Sequence, residues 1–171
     1  MGDRSVFDVL AASDHALAPE ECALLARSAA ELVDLAALER SRPGTFELLW
    51  RDEHSEGWLN TWWERRDTGF HDHDGSCVGV HVLGGGLRSE SLVVGGGRNV
   101  TEYRAGDSFS LSGSGIHRVD HLRGAVTLHV YAPPLRAIGH YDIVDGELHR
   151  SAGPADEVSE PSPGLTEALA E

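Results

Sequence analysis

The sequence predicts a mainly β protein, a single antiparallel sandwich or barrel of short strands behind an N-terminal helical segment. Three observations carry this. Between Thr45 and Arg150, short apolar or alternating runs are cut by turn residues at near-regular intervals. Many of the chain's 20 glycines fall between Gly69 and Gly124, where tight turns would join the strands. Helical spacing of apolar residues occurs only upstream of this region.

Taken in order, a short helix is expected around Val6 to Ala12. Ala18-Pro19-Glu20-Glu21 reads as a helix start, with proline in the first turn and acids at the positive end of the dipole. Leu24, Leu25, Ala29, Leu32, Val33 and Leu35 carry that helix to about Glu39, and Arg42-Pro43-Gly44 ends it. Phe46–Arg51 and Gly57–Trp63 read as strands, followed by Thr68–His73 and Val78–Leu83. Leu87–Val94, Asn99–Tyr103, Ser108–Leu111, Arg118–Leu122 and Ala125–Tyr131 continue the series until Pro133-Pro134 stops it. His140–Val144 and Glu147–Arg150 flank Asp145-Gly146, a good hairpin turn. From Ser151 the chain is rich in Ser, Pro, Gly and Glu, with five acids and no bases, and reads as a flexible tail. The expected organisation is a helical segment over 1–44 packing on the barrel, a β domain over 45–150 and an acidic tail over 151–171.

At 171 residues the chain is long enough for one domain with a real core. Its net charge of −14 argues against a nucleic-acid or anionic-membrane partner. No stretch approaches the ~20 apolar residues of a membrane helix. Met1-Gly2-Asp3-Arg4 lacks the apolar run of a signal peptide, and two cysteines, Cys22 and Cys77, fit a reducing compartment. The expected location is the cytoplasm, and the expected form a monomer or small homo-oligomer.

The chemistry concentrates in Phe70-His71-Asp72-His73-Asp74-Gly75-Ser76. On a strand, residues i and i+2 share a face, so His71 and His73 aim two imidazoles at one point. His117, 44 residues after His73, is the candidate third ligand. On a closed barrel it would approach from across the interior. Three imidazoles suit iron, zinc, nickel or copper alike.

A glycine, an H-x-H and a later glycine, then Gly106 followed by His117, resemble the two motifs of the cupin superfamily, which implies a cupin-type antiparallel β-barrel or jelly roll. Ser112 and His121 replace the usual proline and asparagine of the second motif, and the glutamate that many cupins place after H-x-H is absent. His71-Asp72-His73 with Ser76, Gly115-Ile116-His117-Arg118-Val119-Asp120 and Val126–Pro134, in that order, resemble the cysteine dioxygenase family of thiol dioxygenases over roughly residues 45–145. The resemblance implies iron(II) on His71, His73 and His117, with a small-molecule thiol and O2 as substrates and a sulfinic acid as product. Neutral ligands leave the metal positively charged, which favours a thiolate.

Thr127, His129 and Tyr131 alternate on one strand and share a face. By resemblance they are the Ser-His-Tyr relay of these enzymes, with Thr127 in the serine position. In mammalian members the tyrosine is cross-linked to a cysteine. The matching position here is Val78, with Cys77 one place earlier, so no cross-link is expected and Cys77 is read as a small buried residue or pocket wall. The family's substrate-anchoring arginine or glutamine aligns with Phe46, which cannot replace a guanidinium. Arg51, Arg65, Arg66 and Arg118 are candidates for a cation from another direction. Trp50, Trp58, Trp62 and Trp63 read as core filler or as an aromatic wall beside the metal. Such a wall would favour a bulkier thiol, including one with a trimethylammonium group such as ergothioneine, by cation–π attraction. The substrate contacts expected from sequence are Phe46, Arg51, Trp62, Cys77 and Val78. Two competing functions remain open at this level: a cupin of other chemistry, such as a carbon-oxidising dioxygenase or isomerase, and a non-catalytic metal- or ligand-binding cupin. Sulfur oxidation separates the first from both.

Overall fold

Polar caps set where the helices begin. The computed structural model describes residues 5–42, 46–93, 96–145 and 147–154. In α1 (Val6–Leu10) the Ser5 hydroxyl accepts from the Asp8 N–H while the Asp8 carboxylate accepts from the Ser5 N–H. In α2 (Pro19–Ala30) Pro19 occupies the first turn and the Glu21 carboxylate takes the Ala18 N–H at 2.7 Å. The single helix expected to run to Glu39 is two. Asp34 caps α3 (Leu35–Ser41) by accepting from the Ala37 N–H at 3.0 Å. Apolar spacing continues across the break, but a side-chain acceptor that satisfies a fresh helix start outcompetes it. Arg42 ends α3 in the left-handed region, at φ 44. Pro43 and Gly44 lie outside the described residues.

Twelve strands follow: β1 (Phe46–Arg51), β2 (Glu56–Trp62), β3 (Arg66–Asp67), β4 (Phe70–Asp72), β5 (Cys77–Gly84), β6 (Gly86–Leu92), β7 (Arg98–Arg104), β8 (Ser108–Leu111), β9 (His117–His121), β10 (Ala125–Ala132), β11 (Ala137–Val144) and β12 (Glu147–Pro154). They form two antiparallel sheets, one ordered β1-β2-β10-β5-β8 and the other β12-β11-β4-β9-β6-β7, with β3 also on β9. Among the described residues the sheets do not close into one barrel, and the architecture is jelly-roll-like. The two-residue β3 carries too little pattern to be read from sequence. Val94, Gly95 and Gly146 lie outside the described residues, and Asp145 takes a left-handed turn at φ 54. β12 runs to Pro154, so the first four residues of the expected tail are strand. Residues 155–171 lie outside the described part.

Helix α2 covers the outer face of the first sheet. Its Cys22, Ala26 and Ala29 pack with Leu128, Val130 and Ala132 of β10 and with Cys77 of β5. Small side chains let the helix close on the strands. A Cβ at Gly79 would stand 2.0 Å from the Ala23 nitrogen, so only glycine admits this contact. With α2 on one face and the second sheet on the other, every residue of β10 is buried.

Candidate metal centre

His71 lies on β4 and His73 just beyond its end, where Asp74 and Gly75 turn the chain at φ 50 and φ 96. His117 opens β9, which lies beside β4 in the same sheet, and it is the direct register partner of His71. The third histidine therefore arrives from the neighbouring strand and not from across a barrel interior. Sheet pairing that skips the intervening strands β5 to β8 brings it there.

The three histidines each offer one nitrogen, and these atoms all lie within 4.8 Å of one another. The Nε2 atoms of His73 and His117 are 3.4 Å apart. The His71 Nδ1–H donates to the Gly69 carbonyl at 3.0 Å, which leaves its Nε2 lone pair for a ligand role. Burial pushes His71 down to about 4, and His73 and His117 well below the ordinary imidazole value. Three neutral lone pairs converging at this spacing fit one metal ion with M–N bonds of ~2.1 Å.

The other sheet supplies the facing wall. Thr127, His129 and Tyr131 project from β10 toward the histidines. His129 Nε2 is 3.0 Å from Thr127 Oγ1, and its Nδ1 is 3.1 Å from the Tyr131 hydroxyl. The Tyr131 ring stands 5.1 Å from the His73 ring, centroid to centroid. Burial holds His129 down to about 3. Burial first, and the Glu56 charge second, push the Tyr131 phenol up, so it keeps its proton at neutral pH.

Between the walls is a cavity of about 400 Å³. β2 faces Glu56, Trp58, Asn60 and Trp62 into it, opposite Tyr131, His129, Thr127 and Ala125 of β10 in register. Phe46 of β1 lies over Trp62, edge to face at 5.4 Å. Of the substrate contacts expected from sequence, Phe46, Arg51 and Trp62 line the cavity. Cys77 and Val78 do not. Cys77 faces the opposite side of β5, with its Sγ 3.7 Å from Cys22 Sγ under α2. Val78 stands directly across from Tyr131 on the same face of the sheet, where it is fully buried against Val80 and Tyr131 without lining the cavity. The four tryptophans divide. Trp58 and Trp62 are wall, Trp50 lies over Gly57 in the outer core, and Trp63 sits under Arg42. Arg65 pairs with Asp120, and Arg118 is forked onto Asp67. Neither lines the cavity, and nor does Arg66.

Sequence reasoning missed Glu56, Asn60 and Arg136 as cavity residues, and saw His121 only as a substitution in the second cupin motif. Glu56 is fully buried, its carboxylate accepting from Arg51 Nε at 2.5 Å and from the Leu135 N–H at 3.1 Å. His121 stacks on Trp62 at 4.1 Å. The alternation Glu56-x-Trp58-x-Asn60-x-Trp62 was the available signal.

A family profile for cysteine dioxygenase type I matches residues 21–144. The chain belongs to the cysteine dioxygenase type I family. The cysteine dioxygenase match spans both α2 and the strands that carry the histidines and the relay. No curated protein matches the sequence. Among solved structures, a Bacillus halodurans protein aligns with a TM-score of 0.50 at 17% identity, covering 68% of this chain and 86% of that one. KdgF from a Halomonas species aligns at a TM-score of 0.46 and 12% identity over 52% of this chain and 76% of that one. A Schizosaccharomyces pombe cupin domain aligns at 0.45 and 11% over 51% and 59%. At such identities the Bacillus alignment speaks to the cupin fold alone. Among the described residues, no helix of this cysteine dioxygenase family member is long and apolar enough to cross a membrane.

Proposed function

We propose that the protein is an iron(II)-dependent thiol dioxygenase, converting a small-molecule thiol and O2 into the sulfinic acid: R–SH + O2 → R–SO2H. The observation that carries this reading is the placing of the Thr127–His129–Tyr131 relay directly across from three neutral histidines in a chain of this family. A site that only stored or sensed a metal has no use for the relay. His71, His73 and His117 would hold the iron. Bound there, iron supplies a Lewis-acidic centre that favours thiolate over thiol and brings O2 beside the sulfur.

The chain's own groups do the rest. In the tautomer that suits the relay, Thr127 donates to His129 Nε2 and His129 Nδ1–H donates to the Tyr131 oxygen. The Tyr131 proton is then free to point into the cavity, where it steadies charge that develops on sulfur or oxygen. Leu135, Val119 and Ile138 keep that space largely apolar. The aromatic wall of Trp58 and Trp62, with Phe46 in place of an anchoring cation, supports a thiol bulkier than cysteine, such as ergothioneine.

The test is an iron-loaded preparation given cysteine, 3-mercaptopropionate and ergothioneine under air. Expected are O2 consumption and a product heavier by two oxygen atoms, both derived from isotopically labelled O2. An oxidised product with its sulfur untouched would move the protein to another cupin chemistry, and binding without turnover to a sensor.

A further inference from the structure

We propose that Cys22 and Cys77 are a redox modification site, oxidised by hydrogen peroxide to a reversible disulfide that staples α2 to β5. The inference is independent of the cavity and of its chemistry. The chain has two cysteines, 55 residues apart in sequence, and the fold brings both to one spot. Their Sγ atoms are 3.7 Å apart, each thiol is free, and both are buried between the helix and the sheet.

Backbone contact sets this meeting. Cys77 and Gly79 share the face of β5 that α2 covers. A Cβ at Gly79 would stand 2.2 Å from the Cys22 carbonyl carbon, so helix and strand touch main chain to main chain two residues from Cys77. Filling that contact needs only a small apolar group, which Ala26 and Ala29 supply further along the helix. Two thiols add chemistry to it. The gap that remains, from 3.7 Å to a bond of about 2.05 Å, is one that side-chain torsions can close.

The two thiols are not equivalent. Cys22 is fully buried, whereas Cys77 is 8% exposed, so a small oxidant meets Cys77 first. Cys77 Sγ lies against the start of α2, 3.4 Å from the Leu17 carbonyl. The Cys22 S–H donates to it, and that hydrogen bond holds the Cys77 thiol below its ordinary value, against the burial and the Glu20 charge that oppose it. The Cys77 thiolate attacks one peroxide oxygen. An S–O bond forms, the O–O bond breaks and hydroxide leaves, so sulfur is oxidised to the sulfenic acid and peroxide is reduced. Cys22 sulfur then attacks the sulfenic sulfur. The S–S bond forms, the S–O bond breaks, and the Cys22 proton leaves with the hydroxide as water. In sum, two thiols and H2O2 give one disulfide and two molecules of water. Cys22, already in contact, intercepts the sulfenic acid before a second peroxide carries it to the sulfinic acid. The bond closes a loop that contains β1 to β4, and with them His71 and His73.

The experiment treats the full chain, iron-loaded and chelator-treated in parallel, with hydrogen peroxide and then with dithiothreitol. The intact mass should fall by two hydrogens, and a digest without reductant should yield one peptide pair joined through Cys22 and Cys77. Dithiothreitol should restore both thiols. The oxidised chain should melt about 5 °C or more above the reduced one, as closure of so long a loop implies. Cys22→Ala, with no resolving thiol, should end with Cys77 as its sulfinic acid, which dithiothreitol does not restore. Thiols that survive peroxide in the wild-type chain overturn the proposal. So does oxygen gained at Cys77 without the cross-link, a bond between two chains on a non-reducing gel, or a cross-link that forms only when iron is present. A cross-linked chain that melts with the reduced one removes the staple. These readouts are taken on the wild-type chain, so they decide the matter even where the variant fails to fold.

Discussion

Strand β10 turns Leu128 and Val130 toward α2, and Thr127, His129 and Tyr131 toward the cavity, and all five are buried. The outer face is a core in the ordinary sense, small and apolar, closed tightly enough that Gly79 must lack a side chain. The inner face is equally dry but holds histidines, a phenol and a carboxylate around open space. The jelly roll is therefore stabilised on the outside of its first sheet and keeps its inside for chemistry. Burial does different work on each side. Outside it releases apolar surface from water, at roughly 25 cal/mol per Å². Inside it keeps imidazoles neutral and so able to bind a metal.

Substitutions on the two sides should separate stability from metal binding. The largest effect is expected from His117→Ala. Bound metal, measured by elemental analysis after equilibration, should fall by more than about 100-fold in affinity, whereas metal-free stability should change by no more than ~1 kcal/mol. Unfolding of that variant would mean the inner face is core after all. Leu128→Ala should do the reverse, losing about 2–5 kcal/mol in urea unfolding while the folded fraction keeps its metal content.

A smaller effect tests what burial does to the inner face. Folded, His129 stays neutral down to about pH 3; unfolded, it takes up a proton near its ordinary value of 6.5. The unfolded state binds more protons across that window. The stability is thus fully present above pH 6.5 and is lost as pH falls toward 3. Between pH 6.5 and 5 this group alone is worth about 2 kcal/mol. Urea unfolding of the chelator-treated protein at both pH values should show that loss, and His129→Gln should shrink it. An unchanged slope would place water against His129.

What could be read from sequence follows the same division. Alternation on a single strand is local, so the His71–His73 pair and the Thr127, His129 and Tyr131 face were legible. His117 was legible as a ligand but not as a neighbour, because pairing of β4 with β9 is a property of the sheet. Glu56, Asn60 and Arg136 were missed for a related reason. Glu56 and Asn60 reach the cavity because β2 pairs with β10, strands separated by most of the β domain, and Arg136 because the segment after β10 folds back to Glu56 through the Leu135 N–H. Cys77 was misplaced as a pocket wall because sequence does not say which face of β5 the helix will cover. The break at Asp34 was hidden by an apolar pattern that both one helix and two satisfy.

The residue between the two histidines points the other way. Asp72 accepts from Tyr141 at 2.5 Å on β11 and from Arg150 at 2.7 and 2.8 Å on β12, whose guanidinium reaches it by lying across Gly139. Arg150 and Tyr141 hold that carboxylate well below its usual range. The last described strand touches no part of the cavity, yet it grips the backbone from which both imidazoles hang. Where the chain can be shortened is thereby set: cut after Pro154, the clasp is whole; cut before Glu147, the histidines lose their rear support though every ligand is still present.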